Sequence, residues 1–286
     1  MPPPEERFVD TGELRLHCLE WPSEGPPAVL LHATGFLARL WQPVAEALSD
    51  RYHVYAYDAR GHGDSDKPES GYGWPAIAAD LKGLLDQLDL RAVLAIGHSS
   101  GGAGIAHLAA KQPEYVAAAI LIEPTVFPPA SIGGGEERRE TLSEGAAKRR
   151  MVWPSREELF HTYHGRSAFA RWREDVLRLY VEHGTFDRDD GQVELKCPAE
   201  IEAELYRRSL STETWGLLPD IGCPTLVLRG GDTEPMLARV AEGVAQRIPG
   251  ARLVTVPGAG HFLPMERPEA VLEEIASFAD AVAGAK

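Results

Sequence analysis

The chain has 286 residues, enough for one large α/β domain with an insertion and for a sizeable buried core. Its 43 acidic and 29 basic side chains leave a net charge of −14, which sets most of the surface against nucleic acid and against an anionic membrane. The three cysteines, Cys18, Cys197 and Cys223, are scattered and odd in number, with no CxxC pair, so neither a disulfide framework nor a thiolate metal site is implied.

The opening residues, MPPPEERFVD, are proline-rich and acidic and lack the basic end and apolar run of a secretory signal. No later stretch holds the roughly eighteen uninterrupted apolar residues of a membrane span, so the expected setting is soluble and cytoplasmic. RFVDTGELRLHCLEW then reads as two short strands around a Thr11-Gly12 turn. PAVLLHATG follows with a continuous apolar run, the mark of a strand covered on both faces. The same pattern returns in YHVYAYDARGHG, AVLAIGHSSGG, AAAILIEPT, CPTLVLRGGD and ARLVTVPGAGH, each run ending in a polar, glycine-containing turn. Between most of them lie helical patterns at residues 41–48, 75–88, 101–111, 237–247 and 268–283. Alternating strand and helix predicts a mostly parallel, doubly wound sheet, whose chemistry gathers in the loops at the carboxyl ends of the strands.

One segment breaks the alternation. After the sixth strand, residues 126–220 show no convincing strand but several amphipathic stretches: EERRETLSEGAAKRR, SREELFHTYH, RWREDVLRLYVEHG and AEIEAELYRRSL. They are expected to form a helical cap over the active edge of a core made from residues 1–125 and 221–286. FPPASIGGG reads as the cap's entry, with SIGGG a flexible hinge, and DRDDGQ as an internal turn.

Gly97-His98-Ser99-Ser100-Gly101 fits G-x-S-x-G, and its context gives the match its weight. An apolar strand precedes it and an alanine-rich helix opens at once behind it. Forcing strand into helix without a loop strains the central residue and requires small neighbours, here Gly97, Gly101 and Gly102. A helix-capping serine in a glycine-rich turn is the plainer alternative, but it does not require strand, helix and glycines all in these places. Ser99 is therefore expected as a nucleophile, and the Ser100 amide as an oxyanion donor at the start of the helix.

A serine hydroxyl near neutrality needs a base. Of ten histidines, His261 lies after the last strand and before the last helix, on the same sheet edge as Ser99. His32 and His62 are read as turn-stabilising residues. His161 and His164 could suggest a metal, but no third ligand is evident and a solvated helix face is the better reading. For the acid two places compete: LRGGDTEPM offers Asp232, with Glu234 behind it, and ILIEPT offers Glu123 at the end of the strand after the nucleophile helix. Glu123 and Asp232 stand near parity, with Glu123 slightly ahead because neither Asp232 nor Glu234 falls cleanly on the common G-x-x-D offset from Gly230. The second oxyanion donor is expected from LLHATGFLARLW, with the Thr34 amide preferred and that of Phe36 second.

With these motifs in place, the chain resembles the α/β-hydrolase superfamily, and within it the branch of capped esterases, lactonases, carbon–carbon bond hydrolases, epoxide hydrolases and haloalkane dehalogenases. The likeness rests on LLHATGF, YDARGHGDSD, GHSSGG and GAGHFLPMERPE, in that order, and covers roughly residues 8–125 and 220–284. It departs from relatives that read His-Gly in the first loop, and from the aspartate nucleophile of epoxide hydrolases and dehalogenases. Some relatives, zearalenone-type lactonases among them, place a glutamate where Glu123 stands.

The expected activity is cleavage of a small-molecule carboxylic ester or lactone with a hydrophobic or aromatic acyl or alcohol group through an acyl-enzyme, with carbon–carbon bond cleavage or peracid formation as alternatives and a non-catalytic ligand receptor behind them. Neither a metal nor an organic cofactor is required, and a homodimer is left open. Among the aromatics, Phe36, Trp153, Tyr163, Trp172, Phe186 and Trp215 are the candidates to line an apolar substrate pocket.

Overall fold

A computed structural model of the chain describes residues 3–129, 135–208 and 212–284. Its central sheet contains β1 (Glu5–Asp10), β2 (Arg15–Trp21), β3 (Pro27–Leu31), β4 (His53–Tyr57), β5 (Val93–His98) and β6 (Val116–Ile122). The cap strands β7 (Val152–Trp153), β8 (Thr185–Asp187) and β9 (Val193–Leu195) follow, and β10 (Thr225–Gly230) and β11 (Arg252–Val256) complete the central sheet. Its spatial order is β1-β2-β4-β3-β5-β6-β10-β11. The β1–β2 and β2–β4 pairs are antiparallel and all others parallel.

The apolar runs form strands because both of their faces are buried. Val93 and Ala95 of β5 join Val29 and Leu31 of β3 in one cluster, while Leu94 and Ile96 join Ala28 and Leu30 in the other. Helices α2 (Trp74–Gln87), α3 (Ser100–Lys111) and α9 (Pro235–Arg247) cover the first face. Helices α1 (Gln42–Leu48) and α11 (Pro268–Gly284), the latter preceded by the short α10 (Leu263–Glu266), cover the second. The period-two alternation of side chains thus sorts each run between two helical layers, as the doubly wound reading predicts.

Between β6 and β10 the chain forms α4 (Gly135–Ala147), α5 (Arg156–His164), α6 (Glu174–His183), α7 (Ala199–Arg208) and α8 (Glu213–Leu217). Ser155 caps α5 by accepting from the Glu158 amide at 3.2 Å. The expectation of no strand in this segment is corrected: β7, β9 and β8 pair into a small antiparallel sheet, with the DRDDGQ turn joining β8 to β9. Strands of two or three residues are too short to print a period-two pattern. Residues 131–134 of the expected SIGGG hinge lie outside the described residues, and Gly135 opens α4. The cap has its own cluster, including Trp153, Leu159, Tyr163, Trp172 and Tyr180, which reaches the core through Phe36, Leu40 and Met265. Among the described residues no helix is long and apolar enough to cross a membrane.

Candidate active site

The turn after β5 has the geometry that its sequence requires. Ser99 stands at φ +54°, ψ −112°, a left-handed backbone that side chains rarely adopt, and its amide donates to the Ile122 carbonyl at 2.9 Å. The helix can begin so abruptly because Gly101 lies against β3: a Cβ there would stand 2.3 Å from the Leu31 carbonyl oxygen. The bend brings the Ser99 hydroxyl to a cavity instead of burying it in the helix, and sets Ser100 at the first position of α3, where amides lack a helical partner.

His261 arrives from the loop after β11. Its Nε2 is 3.2 Å from Ser99 Oγ and its Nδ1 is 3.1 Å from Glu123 Oε2. Because the carboxylate accepts, Nδ1–H donates to Oε2, and Nε2 is left to accept from the serine hydroxyl. His98, the residue before the serine, steadies this loop by donating from Nε2 to the His261 carbonyl at 2.8 Å. Burial, followed by the neighbouring His261, pushes the His98 imidazole down to about 3, so it remains a neutral strut.

Glu123 closes the chain of hydrogen bonds. It follows β6 at φ +49°, a second left-handed residue, and its side chain is fully buried. Its Oε1 accepts from the Gly230 amide at 2.7 Å, and its Oε2 accepts from Thr233 Oγ1 at 2.9 Å as well as from His261. Gly230 is needed at the end of β10 because a Cβ would stand 2.2 Å from the Ala259 carbonyl oxygen, in the segment that delivers His261.

Asp232, held near parity with Glu123 on sequence grounds, lies outside this arrangement. Its amide donates to the Ala259 carbonyl at 2.9 Å, and its half-exposed carboxylate pairs with Arg171 of the cap. That backbone bond turns the side chain toward solvent, leaving Thr233 of the same loop to face Glu123.

In the loop after β3, Phe36 donates from its amide to the Ala33 carbonyl at 3.2 Å, and Gly35 sits at φ +83°. This is a type II turn over Ala33–Thr34–Gly35–Phe36. The Gly35 amide donates to His62 Nε2 at 2.9 Å, and His32 Nε2 accepts from the Ala59 amide at 3.0 Å. Both imidazoles are therefore structural, and burial holds both below their ordinary value, His62 at about 3. Phe36 is corrected as an alternative oxyanion donor, since the turn occupies its amide. The Thr34 amide has no acceptor among the described residues.

A cavity of about 300 Å³ opens onto Ser99 and His261, with Thr34 and Phe36 in its wall and Tyr163 and Tyr180 reaching it from the cap. Four of the six candidate pocket aromatics lie elsewhere. Trp153 is buried inside the cap, edge-on to Tyr163 at 5.8 Å, with Nε1 donating to the Arg150 carbonyl at 3.1 Å. Trp172 packs behind the wall, 5.1 Å from the Phe36 ring. Phe186 is 45% exposed on β8, and Trp215 lies against Gly243 of α9. Phe36 and Tyr163 do line the cavity, joined by Phe169 and by residues that the sequence reading passed over: Arg149, Arg166, Glu202 and Tyr206. In sequence those charges resemble a solvated helix face, and nothing local distinguishes them.

A model described as the alpha/beta hydrolase family matches residues 28–274. The 2-(acetamidomethylene)succinate hydrolase of Mesorhizobium japonicum (strain LMG 29417 / CECT 9101 / MAFF 303099) is 30% identical over 280 residues, covering 96% of this chain and 95% of that protein. A crystal structure of E-2-(acetamidomethylene)succinate hydrolase superposes with a TM-score of 0.86 at 27% identity, over 97% of this chain and 99% of that one. A thermophilic esterase from Thermogutta terrifontis, solved with malate bound, gives 0.75 at 26% identity, with coverage of 97% and 99%.

Proposed function

The chain belongs to the alpha/beta hydrolase family, and from that premise we propose that it is a serine hydrolase that cleaves small carboxylic esters or lactones through an acyl-enzyme. One observation carries the reading: Ser99 Oγ, His261 and Glu123 form a continuous hydrogen-bonded chain, with links of 3.2 and 3.1 Å, whose serine and histidine line a cavity. Likeness to a named hydrolase and a named esterase, over nearly the whole of each chain, supports it.

In this reading Ser99 attacks the carbonyl carbon while His261 Nε2 takes the hydroxyl proton, and the Thr34 and Ser100 amides receive the oxyanion. Buried Glu123 favours the imidazolium that forms. His261 then gives its proton to the leaving alkoxide, and the acyl-enzyme is cleared by a water whose proton the same nitrogen accepts. The cavity volume, at the low end for ligand sites, favours a small substrate over a long acyl chain.

The test is labelling with a fluorophosphonate and mapping of the modified peptide. Modification of Ser99, lost together with turnover of 4-nitrophenyl acetate in a folded Ser99→Ala variant, is the expected result. Turnover that survives in that variant would refute the assignment.

A further inference from the structure

The cavity over Ser99 is not uniformly apolar, since Arg149, Arg166 and Glu202 are among the residues that line it. On a chain of net charge −14, that concentration of cations calls for a physical reason. The two arginines differ. Arg149 lies 2.6 Å from Glu202 Oε2 and donates to the Cys197 carbonyl at 3.0 Å, with both side chains of the ion pair mostly buried. Its charge is already met inside the protein.

Arg166 has no such partner. It makes no ion pair and no side-chain hydrogen bond among the described residues, and its guanidinium lies 4.9 Å from the centre of the Tyr163 ring. A guanidinium resting on an aromatic face loses little freedom when it binds, and its fork of N–H groups matches a carboxylate in two parallel hydrogen bonds. Since Glu202 cancels Arg149, the charged side chains that line the cavity among the described residues leave one positive charge, which fits a singly charged group. Glu202 also presses on the turn that carries the Thr34 amide, for a Cβ on Gly35 would stand 2.9 Å from its Oε1.

We propose that the substrate of this site is a small ester bearing one free carboxylate, which Arg166 holds while the scissile carbonyl lies at Ser99. The inference rests on the hydrolytic reading above and narrows it to one chemical class. Both groups line the same cavity of about 300 Å³, the volume of roughly ten water molecules, so a short diacid half-ester fits where a long one does not.

The experiment compares monomethyl succinate with methyl succinamate, which has the same shape without the charge, using the full chain and following methanol release. The half-ester should be preferred by at least about tenfold in kcat/KM, with a preference that shrinks as salt is added. Arg166→Gln should bring the ratio to within about threefold of unity, mainly through KM, and Arg166→Lys should fall between. Arg166 lies at the surface, so neither substitution threatens folding. Equal kcat/KM values in the wild type, or a preference unchanged in Arg166→Gln, would overturn the inference. Fluorophosphonate labelling separates the two levels: a labelled Ser99 without charge preference overturns this inference alone, whereas no labelling and no turnover of either ester overturns the hydrolytic reading with it.

Discussion

Replacing Glu123 by glutamine tests the arrangement at its most buried point. The carboxylate lies 3.1 Å from His261 Nδ1, its side chain is fully buried and that of His261 is only 20% exposed, so solvent screens the pair little. At an effective dielectric of about 20, unit charges at that separation attract by roughly 5 kcal/mol, and this attraction grows in only as the imidazolium forms. With about 1.4 kcal/mol per tenfold in rate, Glu123→Gln should lower kcat by about 10³ to 10⁴. Glutamine can still accept from the Gly230 amide, so the melting temperature should fall far less than the activity. Asp232→Asn is the control: it disturbs a half-exposed pair with Arg171, and its effect should stay within about threefold. The assay is single-turnover cleavage of 4-nitrophenyl acetate beside the rate of fluorophosphonate labelling. The reasoning fails if Glu123→Gln keeps more than a tenth of wild-type activity, or if Asp232→Asn is the more damaging change.

Thr34→Pro removes one N–H from the turn after β3 without opposing its shape, because proline is favoured at the second position of a type II turn; kcat should drop by about 10² to 10³ while thermal melting is kept, and Thr34→Ala, which retains the amide, should stay near wild type. Gly230→Ala forces a methyl group to 2.2 Å from the Ala259 carbonyl, so a stability loss of about 1–3 kcal/mol by denaturant unfolding should accompany slower Ser99 labelling, and an unaltered labelling rate would count against the role given to that close approach. A buried pair away from the site sets a pH window: burial alone would lower the His17 imidazole, but its bond to Asp58 at 2.8 Å raises it above 6.5, while the same bond and its neighbours outweigh burial and hold Asp58 below the ordinary carboxylate range. The His17 contribution to stability is complete below about pH 6.5 and fades as pH rises through its raised folded value, whereas the Asp58 contribution is present above about pH 4 and is lost in acid. Melting temperatures across pH should show both limbs in the wild type, and a profile of the same shape in Asp58→Asn would contradict this.

The alternation of strands and helices is legible in the chain because each central strand is buried on both faces and so prints a continuous apolar run, while each helix prints its own period. The turn at Ser99 is legible for a related reason: a strand passing directly into a helix tolerates only small residues at Gly97 and Gly101, and that steric demand is written locally. His261 follows from chain order on such a sheet. The choice between Glu123 and Asp232 is not local. It depends on a left-handed residue after β6 and on a backbone bond from Asp232 to Ala259 that turns one carboxylate outward, and both are made by segments far apart in sequence. The cavity wall is equally a product of tertiary packing. Arg149 and Glu202 lie in stretches whose composition reads as solvated helix, Arg166 in the turn just after α5, and Trp153 and Trp172 in stretches that read equally well as pocket or core. Periodicity reports which face of an element is buried. Whether that face meets another hydrophobic layer or an open cavity is decided only when the cap closes over the strand ends.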